Sequence, residues 1–203
     1  MSLRPQIVED VSRLPDFAFG SRSLVWWGIL GFMLIEGTAF VVAAGSYLYL
    51  AGRSDGWPPP QIEPPDLLWG TLFTIGLILT EIPNHWTAVR AKRQEARKVR
   101  QGVVLMLVLA SLLLAVRAME FAHLNVRWDA NAYGSVTWLM MVLHTVHVIT
   151  DVLDTAVLAV FLFTHEMRGQ EHSNVADNCV YWSFVVWAWV PIYLLVYWAP
   201  RLL

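Results

Sequence analysis

Five stretches of this chain, residues 24–50, 67–89, 102–124, 135–164 and 178–198, are each dominated by apolar side chains and long enough to cross a bilayer. About 20 such residues in a helix cover the hydrocarbon layer. Lipid offers no partner to a backbone N–H or C=O, so each stretch must close its own hydrogen bonds as a helix. The fold class that follows is all-α: a polytopic membrane helix bundle of five transmembrane helices. Residues 24–203 are expected to form a single domain, preceded by a short segment over residues 1–23. Composition agrees with this reading. Hydrophobic residues make up 57% of the chain and charged ones 15%, where soluble domains hold about 45–50% and about 25%.

The segments between the spans carry the orientation. Residues 90–100 hold Arg90, Lys92, Arg93, Arg97, Lys98 and Arg100 against Glu95 alone, and the positive-inside rule places such a loop in the cytoplasm. Counting outward from it, the N-terminus is expected inside and the C-terminus outside. Residues 52–66 contain Gly56-Trp57-Pro58-Pro59-Pro60 and a second pair, Pro64-Pro65, which predicts a stiff extended loop at the outer interface. Trp26, Trp27, Trp57, Trp69, Trp128 and Trp198 fall near span ends, as interfacial aromatic belts do. Residues 1–23 lack the apolar core and small-residue cleavage site of a signal peptide. Pro83 and Pro191 lie within spans, where each removes a backbone donor and predicts a kink. The net charge of −2 leaves no basic surface for nucleic acid, and a single cysteine, Cys179, excludes an internal disulfide.

Chemistry in such a chain has to come from the few ionisable groups inside the spans. His144, His147, Asp151 and Asp154 occupy one arc of the fourth helix, and a membrane tolerates them only if they face protein or a cavity. Glu36 lies deep in the first span with no cation on its own helix, so its partner must come from another helix. It reads as an interhelical hydrogen bond, or as a proton-relay or lipid-contacting acid. Arg117 and Glu120, spaced i, i+3, are expected to pair, while Glu81 and His85 read as interfacial. Two histidines three residues apart point the same way and cannot ligate opposite faces of a haem. His144, His147 and Asp151 could in spacing alone form a facial metal triad, the basis of an alternative reading as a stand-alone membrane metalloenzyme. A third reading, a small proton-coupled transporter titrating at Glu36, lacks the internal repeat such folds carry. No phosphate loop, nucleophile elbow or zinc-peptidase motif is present, so no catalytic residue and no metal site is assigned.

The residues nonetheless follow a known order. Trp26-Trp27-Gly28 through Leu34-Ile35-Glu36 to Gly45-Ser46-Tyr47, then Gly56-Trp57-Pro58-Pro59, Ala118-Met119-Glu120-Phe121, Tyr133-Gly134-Ser135, Leu143-His144-Thr145-Val146-His147-Val148-Ile149 and the closing Tyr181-Trp182-Ser183-Phe184-Val185 to Tyr197-Trp198 resemble, in sequence order, the motifs of subunit III of the haem-copper respiratory oxidases, the cytochrome c and quinol oxidase group. With five spans rather than seven, the chain resembles the short bacterial form, which lacks the first helical pair. It departs from the family at Ser183 and Val186, where histidine and aspartate are usual, and at Thr145, where glycine is usual. Asp151 and Asp154 lie outside the family pattern. These departures suit a divergent branch, and a nitric-oxide-reductase-associated relative is the alternative.

The resemblance implies a multi-pass protein of the bacterial inner membrane. It implies an accessory subunit without redox centres of its own, with haem and copper held by partner subunits. It also implies packing against the catalytic oxidase subunit I and other oxidase subunits, bound structural phospholipid, and support of proton uptake. Glu36, Glu120, His144 and His147 fall on family positions and become candidates for buried hydrogen-bond, proton or lipid contacts, with Asp151 and Asp154 beside them. His165 and Arg168, next to the inner loop, are candidates for lipid phosphate.

Overall fold

The computed structural model describes residues 24–167 and 169–202. Those residues form helices α1 (Leu24–Ala51), α2 (Leu67–Leu79), α3 (Glu81–Lys92), α4 (Ala96–Ala122), α5 (Ala132–Thr164) and α6 (Gly169–Tyr193), then a π-helical turn Leu194–Trp198 and a last short helix α7 (Ala199–Leu202). Five helical runs are long and apolar enough to cross a membrane: Leu24–Ala51, Leu67–Lys92, Ala96–Ala122, Ala132–Thr164 and Glu171–Leu202. The five-helix expectation therefore holds. The helices outrun the apolar stretches, because a helix continues wherever its backbone bonds close while hydropathy marks only the part facing lipid. Most of residues 165–177, read as a loop from sequence, is the polar first third of α6. The basic loop contracts in the same way to a turn at Arg93–Glu95, with Gln94 in the left-handed region at φ 55°. Arg90 and Lys92 then complement the C-terminal dipole of α3, and Lys98 and Arg90 hold the Glu95 carboxyl below the usual carboxylate range.

The second span is broken at Thr80, three residues before Pro83. A proline ring clashes with the carbonyl four residues back and supplies no N–H, so the ladder is interrupted at that point. Thr80 bridges the break: its N–H bonds the Gly76 carbonyl at 3.2 Å and its own carbonyl accepts from the Asn84 N–H at 3.0 Å. Pro191 behaves differently. Helix α6 runs through it, and the irregularity appears just beyond, as the π turn at Leu194–Trp198. Such turns insert one residue into the helical ladder, and this one rotates Tyr197 into the bundle.

Packing places α6 at the centre, in contact with each of the other spans, while α1 leans chiefly on α5 and α6. The larger core joins Phe40, Tyr47, Phe73, Met140, Trp182 and Trp189. A smaller one at the basic end joins Val99, Val103, Leu162 and Val175. Trp57 corrects its reading as an interfacial belt residue on an extended loop: it is 5% exposed and stands edge-on between Tyr47 and Tyr133, at 5.2 and 5.1 Å. The proline loop is thus a plug over one end of the bundle. Side-chain bonds to its carbonyls fasten it, from Arg201 to Pro65 at 2.6 Å and from Asn125 to Pro64 at 3.1 Å.

Close approach requires glycine at Gly70 and Gly102, among other positions. A Cβ at Gly70 would lie 2.3 Å from the Tyr197 ring, and one at Gly102 would lie 2.2 Å from Thr87 Oγ1. Overfilling a packed contact costs about 1–3 kcal/mol. Gly70→Ala is therefore expected to lower thermal stability in detergent by that amount, whereas Gly45→Ala, whose Cβ meets nothing within 4 Å, should leave the unfolding midpoint unchanged or slightly raised.

Candidate functional site

A guanidinium lies at the centre of the bundle. Arg117, on α4, is 1% exposed and donates to Glu120 Oε2 at 2.7 Å and to His144 Nδ1 at 3.2 Å. Its plane rests between two rings, with the guanidinium carbon 3.6 Å from the centroid of Phe73 and 4.0 Å from that of Trp189. Stacking on aromatic faces suits arginine because its charge is delocalised and weakly hydrated. The other Glu120 oxygen accepts from the Tyr197 hydroxyl. One pair on α4 thereby ties together α2, α5 and the end of α6.

The same contacts fix the protonation of His144. An arginine only donates, so Nδ1 must accept. Nε2 lies 3.1 Å from the Val185 carbonyl and must carry the hydrogen. His144 is a neutral imidazole with both nitrogens engaged. It points into the core, while His147, Asp151 and Asp154 of the same arc face a cleft between α1, α5 and α6. A triad of His144, His147 and Asp151 does not converge, and among the described residues no three histidine, cysteine, aspartate or glutamate side chains are grouped to hold a metal ion.

Glu36 finds its partners on two other helices, as a buried acid without a cation of its own must. Oε2 accepts from the Tyr181 hydroxyl at 2.9 Å, and Oε1 lies 3.3 Å from His147 Nε2. His147 Nδ1 is 2.6 Å from the Leu143 carbonyl, which can only accept, so Nδ1 carries a hydrogen. The contact between Nε2 and Oε1 then needs one proton shared by the pair, lying on the acid or on the ring. Either way Glu36 and His147 together carry no net charge, and they staple α1 to α5 while Tyr181 staples it to α6.

Beside them Asp154 accepts from Asn178 Nδ2 at 3.3 Å. Asp151 is 2% exposed, and its Oδ1 has no hydrogen-bond partner among the described residues. His165 closes α5, stacked on Phe161 at 4.3 Å, and its carbonyl accepts from Arg100 at 3.4 Å. Arg168 lies outside the described residues. Glu81 corrects its interfacial reading: it sits at the mid-span break and accepts from Ser183 at 3.0 Å, next to Asn84, which donates to Ser183 and to the Cys179 carbonyl. His85 is exposed. Tyr181, Tyr197 and Asn84 were not singled out in the sequence as partners of these acids. Aromatic and amide residues are ordinary in such spans, and nothing along the chain couples Tyr181 to Glu36 across 145 positions.

Removing one member of a buried ion pair strands the other and costs about 3–5 kcal/mol. Arg117→Met should therefore destabilise the bundle by that amount in denaturant titrations, and Arg117→Met with Glu120→Gln should recover more than half of it. Glu36→Gln keeps an acceptor for Tyr181 and supplies an N–H to His147 Nε2. It should leave assembly intact and change stability by less than about 1 kcal/mol, whereas Glu36→Leu should lose both bonds at about 1 kcal/mol or more each.

Comparison with known proteins agrees with the arrangement of spans and motifs. Residues 51–200 match the family model described as Cytochrome c oxidase subunit III. Cytochrome c oxidase subunit 3 of Thermostichus vulcanus is 26% identical over 193 residues, covering 94% of this chain and 91% of the relative. The Synechocystis sp. protein of the same name is 23% identical over 182 residues, covering 88% and 77%. That of Cyprinus carpio is 24% identical over 143 residues, covering 70% and 55%. A match across most of the chain, over the spans that carry Arg117, Glu120, His144 and Tyr181, means that this protein belongs to the cytochrome c oxidase subunit III family.

Proposed function

We propose that this chain is the non-catalytic accessory subunit III of a haem-copper terminal oxidase, seated against the catalytic subunit I in a bacterial inner membrane, with its N-terminus inside and its C-terminus outside. The family match over residues 51–200 carries this reading. The geometry supports it, because several buried ionisable groups of the core are bonded across helices. Arg117, Glu120, His144 and Tyr197 form one linked set, and Glu36, His147 and Tyr181 another. Such networks rigidify a bundle.

The role that follows is mechanical and electrostatic. A stiff five-helix block stabilises the partner that holds haem and copper. The proton shared by Glu36 and His147 is the chain's candidate contribution to proton uptake. The basic turn at Arg90–Lys98 and the Arg100–His165 contact face the inner lipid headgroups, where each positive charge near an anionic leaflet is worth about 1 kcal/mol. Bound phospholipid fits the exposed apolar faces of α1 and α5.

Purification in mild detergent should recover the chain with a large haem-bearing partner whose spectrum shows reduced haem bands, and the isolated chain should show no visible absorption. Recovery of the wild-type chain alone under conditions that keep the oxidase intact would contradict the assignment. Stoichiometric iron in the isolated chain would favour the stand-alone metalloenzyme instead.

A further inference from the structure

One region of the molecule is not self-sufficient. The cleft between α1, α5 and α6 has a volume of about 760 Å³, with Glu36 and Asp151 on its inner wall, Asp154 exposed at its mouth and Val25, Ile29, Val157 and Phe161 along its rim. Glu36 and His147 neutralise each other. Among the described residues Asp154 accepts from the neutral amide of Asn178. Asp151 is 2% exposed, lines the cleft and leaves Oδ1 without a hydrogen-bond partner among the described residues. The two aspartates are three residues apart on one helix, where ionising both costs like-charge repulsion, and among the described residues no lysine or arginine lines the cleft.

We propose that this cleft receives a lysine or arginine side chain from a transmembrane helix of a partner subunit, which lies along α1 and α5 and places its cation against Asp151 and Asp154. This rests on the reading of the chain as one subunit of a membrane complex. The chemistry favours a basic side chain over the other cations a membrane contains. The cleft runs from Val25 to Glu36, roughly 16 Å along α1 at 1.5 Å per residue, so its acids lie well below the headgroup layer. An aminophospholipid could bring its ammonium there only by drawing its phosphate down beside two aspartates, a like-charge contact inside low-dielectric surroundings. Among the described residues a metal ion finds no grouped set of ligands. A lysine or arginine on a helix carries a cation on an apolar stem with no accompanying anion.

Helix α1 is open on the same side. It is the least covered of the five spans, with 11% of its most apolar window buried against 33–39% for the others. The rim residues Val25, Val157 and Phe161 are 51%, 69% and 38% exposed. A partner helix crossing the mouth of the cleft would cover these residues while its basic side chain enters between them.

The test uses the assembled complex with p-benzoylphenylalanine at position 157, on the exposed rim, photolysed and digested for mass spectrometry. The expected product joins Val157's position to a membrane helix of another subunit, within about one turn of a lysine or arginine. In parallel, Asp151→Asn with Asp154→Asn should reduce retention of this chain in the complex about tenfold without shifting the thermal midpoint of the isolated chain. Asp151→Lys should abolish retention, and changing the cross-linked basic residue to glutamate should restore it. Adducts to phospholipid alone, to residues 1–23 or to a second copy of this chain would overturn the proposal, as would undiminished retention of the double variant. If Asp151→Lys does not fold, the cross-link decides. Failure of the wild-type chain to purify with a haem-bearing partner would instead refute the oxidase assignment, leaving a cross-link to some other basic helix as support for the cleft.

Discussion

A positive charge buried among aromatic rings holds this bundle in register. Arg117 cannot lose its proton and cannot reach water, so its surroundings must be assembled around it. Glu120 supplies the counter-charge, His144 an acceptor and Phe73 and Trp189 the polarizable walls. These residues come from four of the five spans. Helices in lipid gain little from the hydrophobic effect when they associate, and a fixed ion with several directional partners is a strong reason for them to meet in one arrangement only.

The backbone of two spans is irregular near a proline. Pro83 breaks the second span at Thr80, and side chains cross to α6 there: Trp182 donates to Thr80 Oγ1, Ser183 to Glu81, and Asn84 to Ser183 and the Cys179 carbonyl. The π turn after Pro191 brings Tyr197 over Gly70 and onto Glu120. Both departures from regular helix lie where side chains of α6 bond the second span or Glu120. The core is held by directional contacts between its helices, while the cleft beside α1 has Asp151 at its wall with Oδ1 lacking a partner among the described residues. A rigid centre and an incomplete flank suit a protein whose work is to be docked.

Much of this could be read along the chain. The five spans, the pairing of Arg117 with Glu120 and the need for Glu36 to find a partner on another helix all follow from local spacing and the cost of charge in lipid. Other readings failed for identifiable reasons. Trp57 looked interfacial because its neighbours are prolines, yet the loop folds back and buries it. Glu81 looked interfacial because the basic turn follows it, yet helix α3 carries it to mid-span. His144 and His147 share an arc, but a shift of 60° in helical phase sends one into the core and the other into the cleft.

By itself the sequence determined the fold class and the number of spans, since apolar length and the absence of backbone partners in lipid allow no other structure. It also determined that the ionisable groups inside those spans must be turned away from the hydrocarbon. Which groups meet was decided only by the tertiary structure. Tyr181 with Glu36, Tyr197 with Glu120 and His144 with Arg117 are contacts between helices, set by how the spans rotate and slide against one another. Apolar periodicity is nearly silent on rotation when lipid and core are equally greasy, so the partners of each polar group became fixed only when the five helices packed.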